Sequence, residues 1–353
     1  MIKIREEIRR IIINNYVKEG KDPLDSIIGQ ENAKRQILSS LISGRNMLII
    51  GPPGTGKTTL AKNIAKLLPE IDFPDGIPLW AYEEFPFVSE EYRKKWREGP
   101  FIKIKGEDRF IRIQGSYDLS VEDLIGDIDP SKALKYGIHS LESFIPGKIF
   151  KAHHGVLFFD EINRAPPKVQ NSLLELLEEK KITIGTYEFQ IPLDIIFIAT
   201  MNPESYYGAE KISDVLLDRF DIINLDYPKD IEEEKKIILK YGKNLDVNFP
   251  EKLLELTIEF IQKLRKDDKL EKKPSVRSTI GIYEKAQALA MIDNKENVEI
   301  QHIFESLLSI LPHRIRLKPS YKMETNEEEY IRNQWNSFII GKDFRSWFWK
   351  FNK

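Results

Sequence analysis

The residues best equipped for chemistry fall into a few short groups. Gly51-Pro52-Pro53-Gly54-Thr55-Gly56-Lys57-Thr58, followed by Thr59, fits G-x-x-x-x-G-K-[ST]. The apolar run Met47 to Ile50 precedes it and a helical stretch from Thr59 to Ala65 follows, which is the strand–loop–helix setting that gives the pattern its meaning. Glycines let the backbone curl so that its N–H groups face inward at a helix start, where an anion is favoured. Lys57 would then neutralise β- and γ-phosphates, and the Thr58 hydroxyl would ligate Mg²⁺. The spacing implies binding of a nucleoside triphosphate.

A second group, Val156-Leu157-Phe158-Phe159-Asp160-Glu161, is an apolar strand ending in adjacent acids. Successive strand residues face opposite ways, so the two carboxylates are aimed differently. Beside a phosphate loop, Asp160 would hold Mg²⁺ directly or through water, and Glu161 would polarise an attacking water. A third run, Ile196 to Thr200 with Met201-Asn202-Pro203, is another apolar strand with a polar end. If it lies between the other two strands, the Asn202 amide could hold the water or the γ-phosphate; otherwise Asn-Pro simply opens a turn. Leu216-Leu217-Asp218-Arg219-Phe220 places an arginine at a helix end, and Pro274-Ser275-Val276-Arg277 places another in a helix first turn. A lone arginine at the first position is more often a surface ion pair, whereas Arg277 could reach back to the nucleotide.

Positioning these groups requires a parallel sheet. From residue 23 to about 228, short apolar runs (Met47–Ile50, Phe110–Gln114, Val156–Phe159, Ile195–Ala199) alternate with helical stretches such as Glu31 to Leu41. Residues 1–22 read as an amphipathic helix with Ile4, Ile8, Ile11 and Ile12 on one face. Leu79 to Pro100 reads as an irregular aromatic excursion from the sheet. Residues 229–320 carry helical periodicity throughout, and 321–353 form an aromatic-rich tail. Its Trp335, Phe338, Ile339, Phe344, Trp347, Phe348, Trp349 and Phe351 either pack on the chain or dock a partner.

Composition narrows the class. The 353 residues carry 54 Lys+Arg against 56 Asp+Glu, net −2, which offers no broad basic surface for nucleic acid. Charged residues make up 31% and cysteine is absent, so no disulfide framework exists. The charged N-terminus is unlike a secretory signal and no run approaches membrane-spanning length, so a cytoplasmic location is expected. His153-His154 stand before the Asp160 strand without a carboxylate at metal-ligand spacing, and they read as structural.

Taken in order, the phosphate loop (Walker A), the Asp-Glu strand, the Asn-ended strand, Leu-Asp-Arg-Phe-Asp and the helical-region arginine resemble an AAA+ ATPase over roughly residues 23–315. Asp160-Glu161-Ile162-Asn163-Arg164-Ala165-Pro166 and Ser172 to Glu179 resemble the MoxR group, whereas Gly155-Val156 and Ile198 to Pro203 are also similar to magnesium-chelatase motor subunits. The resemblance implies an α/β fold, with a five-stranded parallel core sheet flanked by helices and a helical lid domain. It implies ATP and Mg²⁺ as cofactors, Ile27-Ile28-Gly29 on the adenine side, and Asn202 and Arg277 as sensors. Arg219 matches the finger that reaches a neighbouring subunit's γ-phosphate, which implies a homo-oligomer, a hexameric ring by family habit; Arg164 would act across the same interface or form a surface pair. The client implied is a protein with a von Willebrand A-type domain. Alternatives are a magnesium- or cobalt-chelatase motor and, less compatible with the charge, a nucleic-acid translocase. Two inserts, Asp129 to Gly147 and a hairpin from Lys181 to Phe189 turning at Gly185-Thr186, would face the ring pore or be ordinary surface loops.

Overall fold

The computed structural model describes residues 3–184, 189–202 and 212–340. The expected Gly185-Thr186 turn and the tail aromatics from Phe344 onward lie outside the described residues. The chain divides into two compact units: the first runs to Leu225 and the second from Asp226, with the loop tip Pro52–Thr55 grouping with the second.

The first unit is built on β1 (Asn46–Ile50), β2 (Phe110–Gln114), β3 (Gly155–Asp160), β4 (Ile195–Met201) and β5 (Phe220–Asn224). All pair in parallel, in the order β5-β1-β4-β3-β2, so the Asn202-ended strand does lie between the phosphate-loop strand and the acid-bearing one. Every residue of β3 and β4 is buried, as a parallel sheet covered on both faces demands. Alternate residues split between two cores. Leu48, Leu157, Phe159, Phe197 and Ala199 face one layer, while Met47, Ile49, Val156, Phe158, Ile196 and Ile198 face the other.

Three helices cover the second of those faces. They are α1 (Ile4–Ile11), α2 (Glu31–Ser43) and α3 (Lys57–Lys66), which contribute Ile4, Ile8, Ile37, Leu41, Leu60 and Ile64. Full burial of one such side chain is worth roughly 1.5–3 kcal/mol. The N-terminal helix does not run regularly as far as expected: Ile12–Val17 forms a wider π turn, and Ile11 is only half-buried whereas Ile12 is fully buried. Arg5 fastens this helix to the base of the sheet by donating to Asn46 Oδ1 (2.9 Å) and the Ile195 carbonyl (3.0 Å).

The other face carries α4 (Pro167–Glu179) and an aromatic layer. Residues 79–100 lie outside the five-stranded sheet, as expected, and pack against its face. Tyr82 and Phe85 are fully buried, Ser89 caps a helix at Glu90–Glu98, and Ile71–Pro74 pairs antiparallel with Phe101–Ile104. Their apolar content supplies the layer that this sheet face requires. Both inserts are present. Gly126–Ile128 pairs with Phe144–Pro146 around a helix at Pro130–Tyr136, and Lys181–Ile184 pairs with Phe189–Pro192.

The second unit contains α5 (Ile231–Tyr241), α6 (Glu251–Lys266), α7 (Val276–Ile292), α8 (Ile300–Ile310) and α9 (Glu327–Ile340). Trp335 is fully buried, edge-on to Phe260 at 4.9 Å, and Phe338 and Ile339 join the same core. The described part of the tail therefore packs on its own unit. Among the described residues no helix is long and apolar enough to cross a membrane.

Candidate active site

The phosphate loop leaves β1 at buried Gly51 and stays partly exposed until Leu60 is buried in α3. Two positions require glycine. Gly54 has φ +81° and Gly56 has φ +90°, conformations that L side chains adopt only at a cost. A Cβ on Gly54 would also come 3.2 Å from Arg277 Cγ, in the same compact unit as the loop tip. Thr55 Oγ1 donates back to the Pro52 carbonyl at 2.9 Å and fixes the tip. The Leu60 N–H donates to Gly56 O at 2.8 Å, so amides of the first helical turn ahead of it have no acceptor within α3. The Lys57 ammonium reaches across the loop to the Gly51 carbonyl at 2.5 Å. Thr58 and Thr59 follow on that first turn, and buried Ile27 lies against Gly56, 3.6 Å from where a Cβ would stand. Gly29 (φ +67°) and Gln30 (φ +62°) turn the chain from Ile27-Ile28 into α2.

The acids stand at the end of β3. Asp160 is 9% exposed, and Glu161 takes the left-handed conformation at φ +54°. Such a residue costs roughly 1–2 kcal/mol and needs support. Thr200 gives it: its hydroxyl accepts the Glu161 N–H at 3.0 Å and donates to Asp160 Oδ1 at 2.6 Å. Gly115 gives more, donating to the Asp160 carbonyl at 2.7 Å; a Cβ there would meet Glu161 O at 2.1 Å. The turn sends the two carboxylates to separate partners. Arg112 donates to Asp160 Oδ2 at 2.5 Å, while Arg164 (2.7 Å) and Gln114 (3.3 Å) donate to Glu161 Oε2. Arg164 is thus an ion-pair partner of Glu161 within the chain.

Sequence reasoning missed Thr200, Arg112, Gln114 and Gly115. A signal existed for two of them: in Phe110-Ile111-Arg112-Ile113-Gln114 the polar residues alternate toward one side of a strand, and Gln114 pairs in register with Asp160. Asn202 follows β4 directly, on the strand between loop and acids.

Arg219 is not gathered with these groups. It precedes Phe220, which pairs with Asn46 at the start of β1, whereas the phosphate loop follows the end of β1. Six residue rises separate those levels, about 20 Å along the strands. Arg219 donates to Glu178 Oε2 at 2.8 Å and to the Val215 carbonyl at 3.0 Å, and its buried Nε has no acceptor among the described residues. Arg277 lies in the first turn of α7 in the second unit.

The histidine pair departs from expectation in one respect: carboxylates are at hand, brought from afar. Glu84 Oε1 lies 3.0 Å from His153 Nε2 and 3.3 Å from His154 Nε2, and Asp194 Oδ2 lies 3.3 Å from His154 Nδ1. These donors are close enough for a metal, but His153 Nδ1 accepts the Asp194 N–H at 3.2 Å. Its proton therefore sits on Nε2, which donates to Glu84 and is unavailable as a ligand. Burial lowers the His153 pKa. For His154, burial acts the same way, but hydrogen bonds to Asp194 and Glu84 outweigh it and raise the value. Burial opposes the Glu84 charge too, yet the two histidines together hold its carboxyl well below the usual range.

Three family models match in succession: magnesium chelatase, subunit ChlI, over residues 23–107; the ATPase family associated with various cellular activities (AAA) over 103–222; and the AAA lid domain over 263–333. The magnesium-chelatase subunit ChlI homolog of Methanocaldococcus jannaschii is 27% identical over 339 residues, covering 87% of this chain and 89% of that one. Chaperone MoxR1 of Mycobacterium tuberculosis is 25% identical over 321 residues, covering 82% and 73%. A structure of the complex between BchI and BchD of magnesium chelatase aligns at TM-score 0.48 and 21% identity, covering 85% of this chain and 98% of that one. With the loop, the strand-end acids and the sheet order in hand, the chain is an AAA+ ATPase, similar to the MoxR and magnesium-chelatase motor subunits.

Proposed function

We propose that this ATPase hydrolyses ATP with Mg²⁺ in a ring of identical subunits and uses the turnover to remodel or activate a partner protein. The observation that carries the hydrolytic part is the Asp160-Glu161 turn, held by Thr200 and Gly115 one strand beyond the strand that ends in Asn202. Lys57 and the loop amides bind the phosphates, with Ile27, Ile28 and Gly29 on the base side. Thr58 and Asp160 offer hard oxygen donors that suit Mg²⁺, and Thr200 fixes the Asp160 carboxylate on one side. Mg²⁺ bound there supplies charge neutralisation on phosphate oxygens. Glu161 orients the attacking water and draws off its proton, and Asn202 holds that water or the terminal phosphate. Arg277 reads the terminal phosphate from the lid.

Arg219 stands at the amino-terminal end of the strands whereas the loop leaves their carboxyl end, which supports a role toward a neighbouring subunit and hence a ring, hexameric by family habit. The client we favour is a protein with a von Willebrand A-type domain. The chelatase-motor reading has its own support in the ChlI model over residues 23–107 and the ChlI homolog.

A pull-down from source-cell extract tests the client. Glu161→Gln loaded with Mg-ATP is the bait and Lys57→Ala the non-binding control. Capture of a von Willebrand A-domain protein alone, dependent on ATP, is the expected result. Tetrapyrrole-chelatase subunits in its place would overturn the remodelling reading in favour of the metal-insertion motor.

A further inference from the structure

Asn46 is a polar residue in a strand that is otherwise apolar. It opens β1, is 4% exposed, and is followed by Met47, Leu48, Ile49 and Ile50. A buried amide costs stability unless its two donors and two lone pairs are used, and here all are. Arg5 Nη2 (2.9 Å) and Lys180 Nζ (3.2 Å) donate to Oδ1. Nδ2 donates to the Leu177 carbonyl at 3.1 Å and to the Arg219 carbonyl at 3.3 Å. Arginine and lysine have only donors to offer, so Oδ1 must face them and Nδ2 must face the two carbonyls. The orientation of the amide is thereby fixed.

The cations that fix it stand in an unfavourable place. Among the described residues no carboxylate lies within 4.0 Å of Arg5 or Lys180. Burial, with the Arg5 charge beside it, holds the Lys180 pKa down at about 8. Two desolvated cations directed at one neutral oxygen repel each other, so the arrangement costs stability and points to another use.

That use is to hold Arg219 from both ends. Its carbonyl takes the Asn46 amide directly, beside the Asn46–Phe220 register. Its guanidinium donates to Glu178 Oε2 at 2.8 Å. Glu178 adjoins Leu177, whose carbonyl accepts from Asn46 Nδ2 and, at 2.6 Å, from Lys180 Nζ. One amide therefore fixes the Arg219 backbone and, through the last turn of α4, the carboxylate on which its side chain leans.

We infer that Asn46 is the positioning residue of Arg219 and sets the direction in which that arginine reaches a neighbouring subunit, with Arg5 and Lys180 holding the amide in place. The inference rests on the reading of Arg219 as acting in trans and adds the residue that aims it. Misplacing such a group by about 1 Å costs up to about 10²-fold in rate.

The test separates aiming from folding. Asn46→Asp keeps the shape and gives Arg5 and Lys180 a charged acceptor, which offsets the bonds lost at the carbonyls, so the chain should still fold. It sets a carboxylate oxygen against the Arg219 carbonyl, so kcat should fall about tenfold or more while the Kd for ATP stays within about twofold. Mixed in equal amounts with Lys57→Ala, it should turn over ATP at least about twice as fast as alone, because about a quarter of the interfaces then pair an intact loop with a correctly aimed Arg219. Mixed with Arg219→Ala it should gain nothing. Lys180→Met leaves Asn46 in place but removes one of its two donors; it should show a smaller fall relieved by the same mixing, and it carries the test if Asn46→Asp does not fold. An unchanged kcat, or a fall that Lys57→Ala does not relieve although Arg219→Ala mixed with Lys57→Ala regains turnover, refutes the inference alone. Silence of that last mixture refutes action in trans, and the inference with it.

Discussion

Glu234 is the residue whose removal should most disturb the helical unit. It is 0% exposed and accepts Arg265 Nη1 and Nη2 at 2.7 Å each, plus the Thr279 hydroxyl at 2.7 Å. Arg265, 6% exposed, also donates Nε to the Pro274 carbonyl at 2.9 Å and lies over the Tyr227 ring at 4.6 Å. The network thus ties α5 and α6 to Pro274 and Thr279, the residues on either side of Arg277. In Glu234→Ala the guanidinium stays buried, with two N–H groups and a hydroxyl stripped of their acceptor. Breaking a buried pair from one side costs about 3–5 kcal/mol. For a unit of about 130 residues, each kcal/mol lowers the melting temperature by about 3–4 °C, so a fall of about 10–20 °C is expected. Urea unfolding followed by far-ultraviolet circular dichroism, with calorimetry alongside, measures it. Glu234→Met combined with Arg265→Leu removes both charges and should restore most of the loss. A single-variant loss below about 1 kcal/mol would refute the argument. A double variant as unstable as the single would assign the cost to packing instead.

Other outcomes follow from the same geometry. Glu161→Gln should lower turnover by about 10²- to 10⁴-fold with ATP binding retained, and an unchanged rate in a steady-state phosphate-release assay would remove Glu161 as the base. Arg219→Ala and Lys57→Ala should each be inactive alone, yet mixed in equal amounts should regain turnover at interfaces that pair an intact loop with an intact Arg219; a mixture as silent as its parts would sink action in trans. The His154 cluster should make stability depend on pH. Its raised imidazolium stabilises fully below the ordinary value of 6.5 and fades as the pH climbs through the raised one, while His153, with its value lowered, runs the opposite way. The melting-temperature gap between the parent and His154→Gln should therefore be wider at pH 6 than at pH 9, and an equal gap counts against the charged pair. Glu84 and Asp194, held low, stabilise above their ordinary values of 4.5 and 3.8 and lose that contribution on acidification, so the gap between parent and Glu84→Gln should close as the pH falls below about 4.

What the sequence disclosed is what is local. The phosphate loop, the strand-end acids and Asn202 lie within a few residues of the elements that carry them, and period and turn chemistry suffice to read them. Sheet order was not legible: that the Asn202 strand lies between the other two stood only as a condition until the pairing was seen. The histidine cluster was illegible because its carboxylates come from 69 residues upstream and about 40 downstream, a separation that no periodicity encodes. Glu234 and Arg265 were illegible for a different reason: a charged residue on a helix reads as solvated until its neighbours close over it. For residues 79–100 the sequence showed an excursion from the sheet but not what its aromatics cover, because packing on the face above β3 and β4 leaves no period in an irregular segment.

A parallel sheet makes one edge the place where loops converge, and here the phosphate loop, Asp160, Glu161 and Asn202 all leave by the carboxyl ends of their strands. Arg219 enters by the amino end of β5, about 20 Å away along the strands, in a position fixed by the Asn46–Phe220 register. No side-chain rotation brings it round, because moving it would mean unpairing β5 from β1. An arginine so placed serves either its own ion pair with Glu178 or an active site that another copy presents to that edge. The buried Nε, without an acceptor among the described residues, is compatible with the second, the role proposed above. In the ring proposed above, assembly would complete the catalytic constellation, and the polarity of the sheet would set which end of one subunit meets which end of the next.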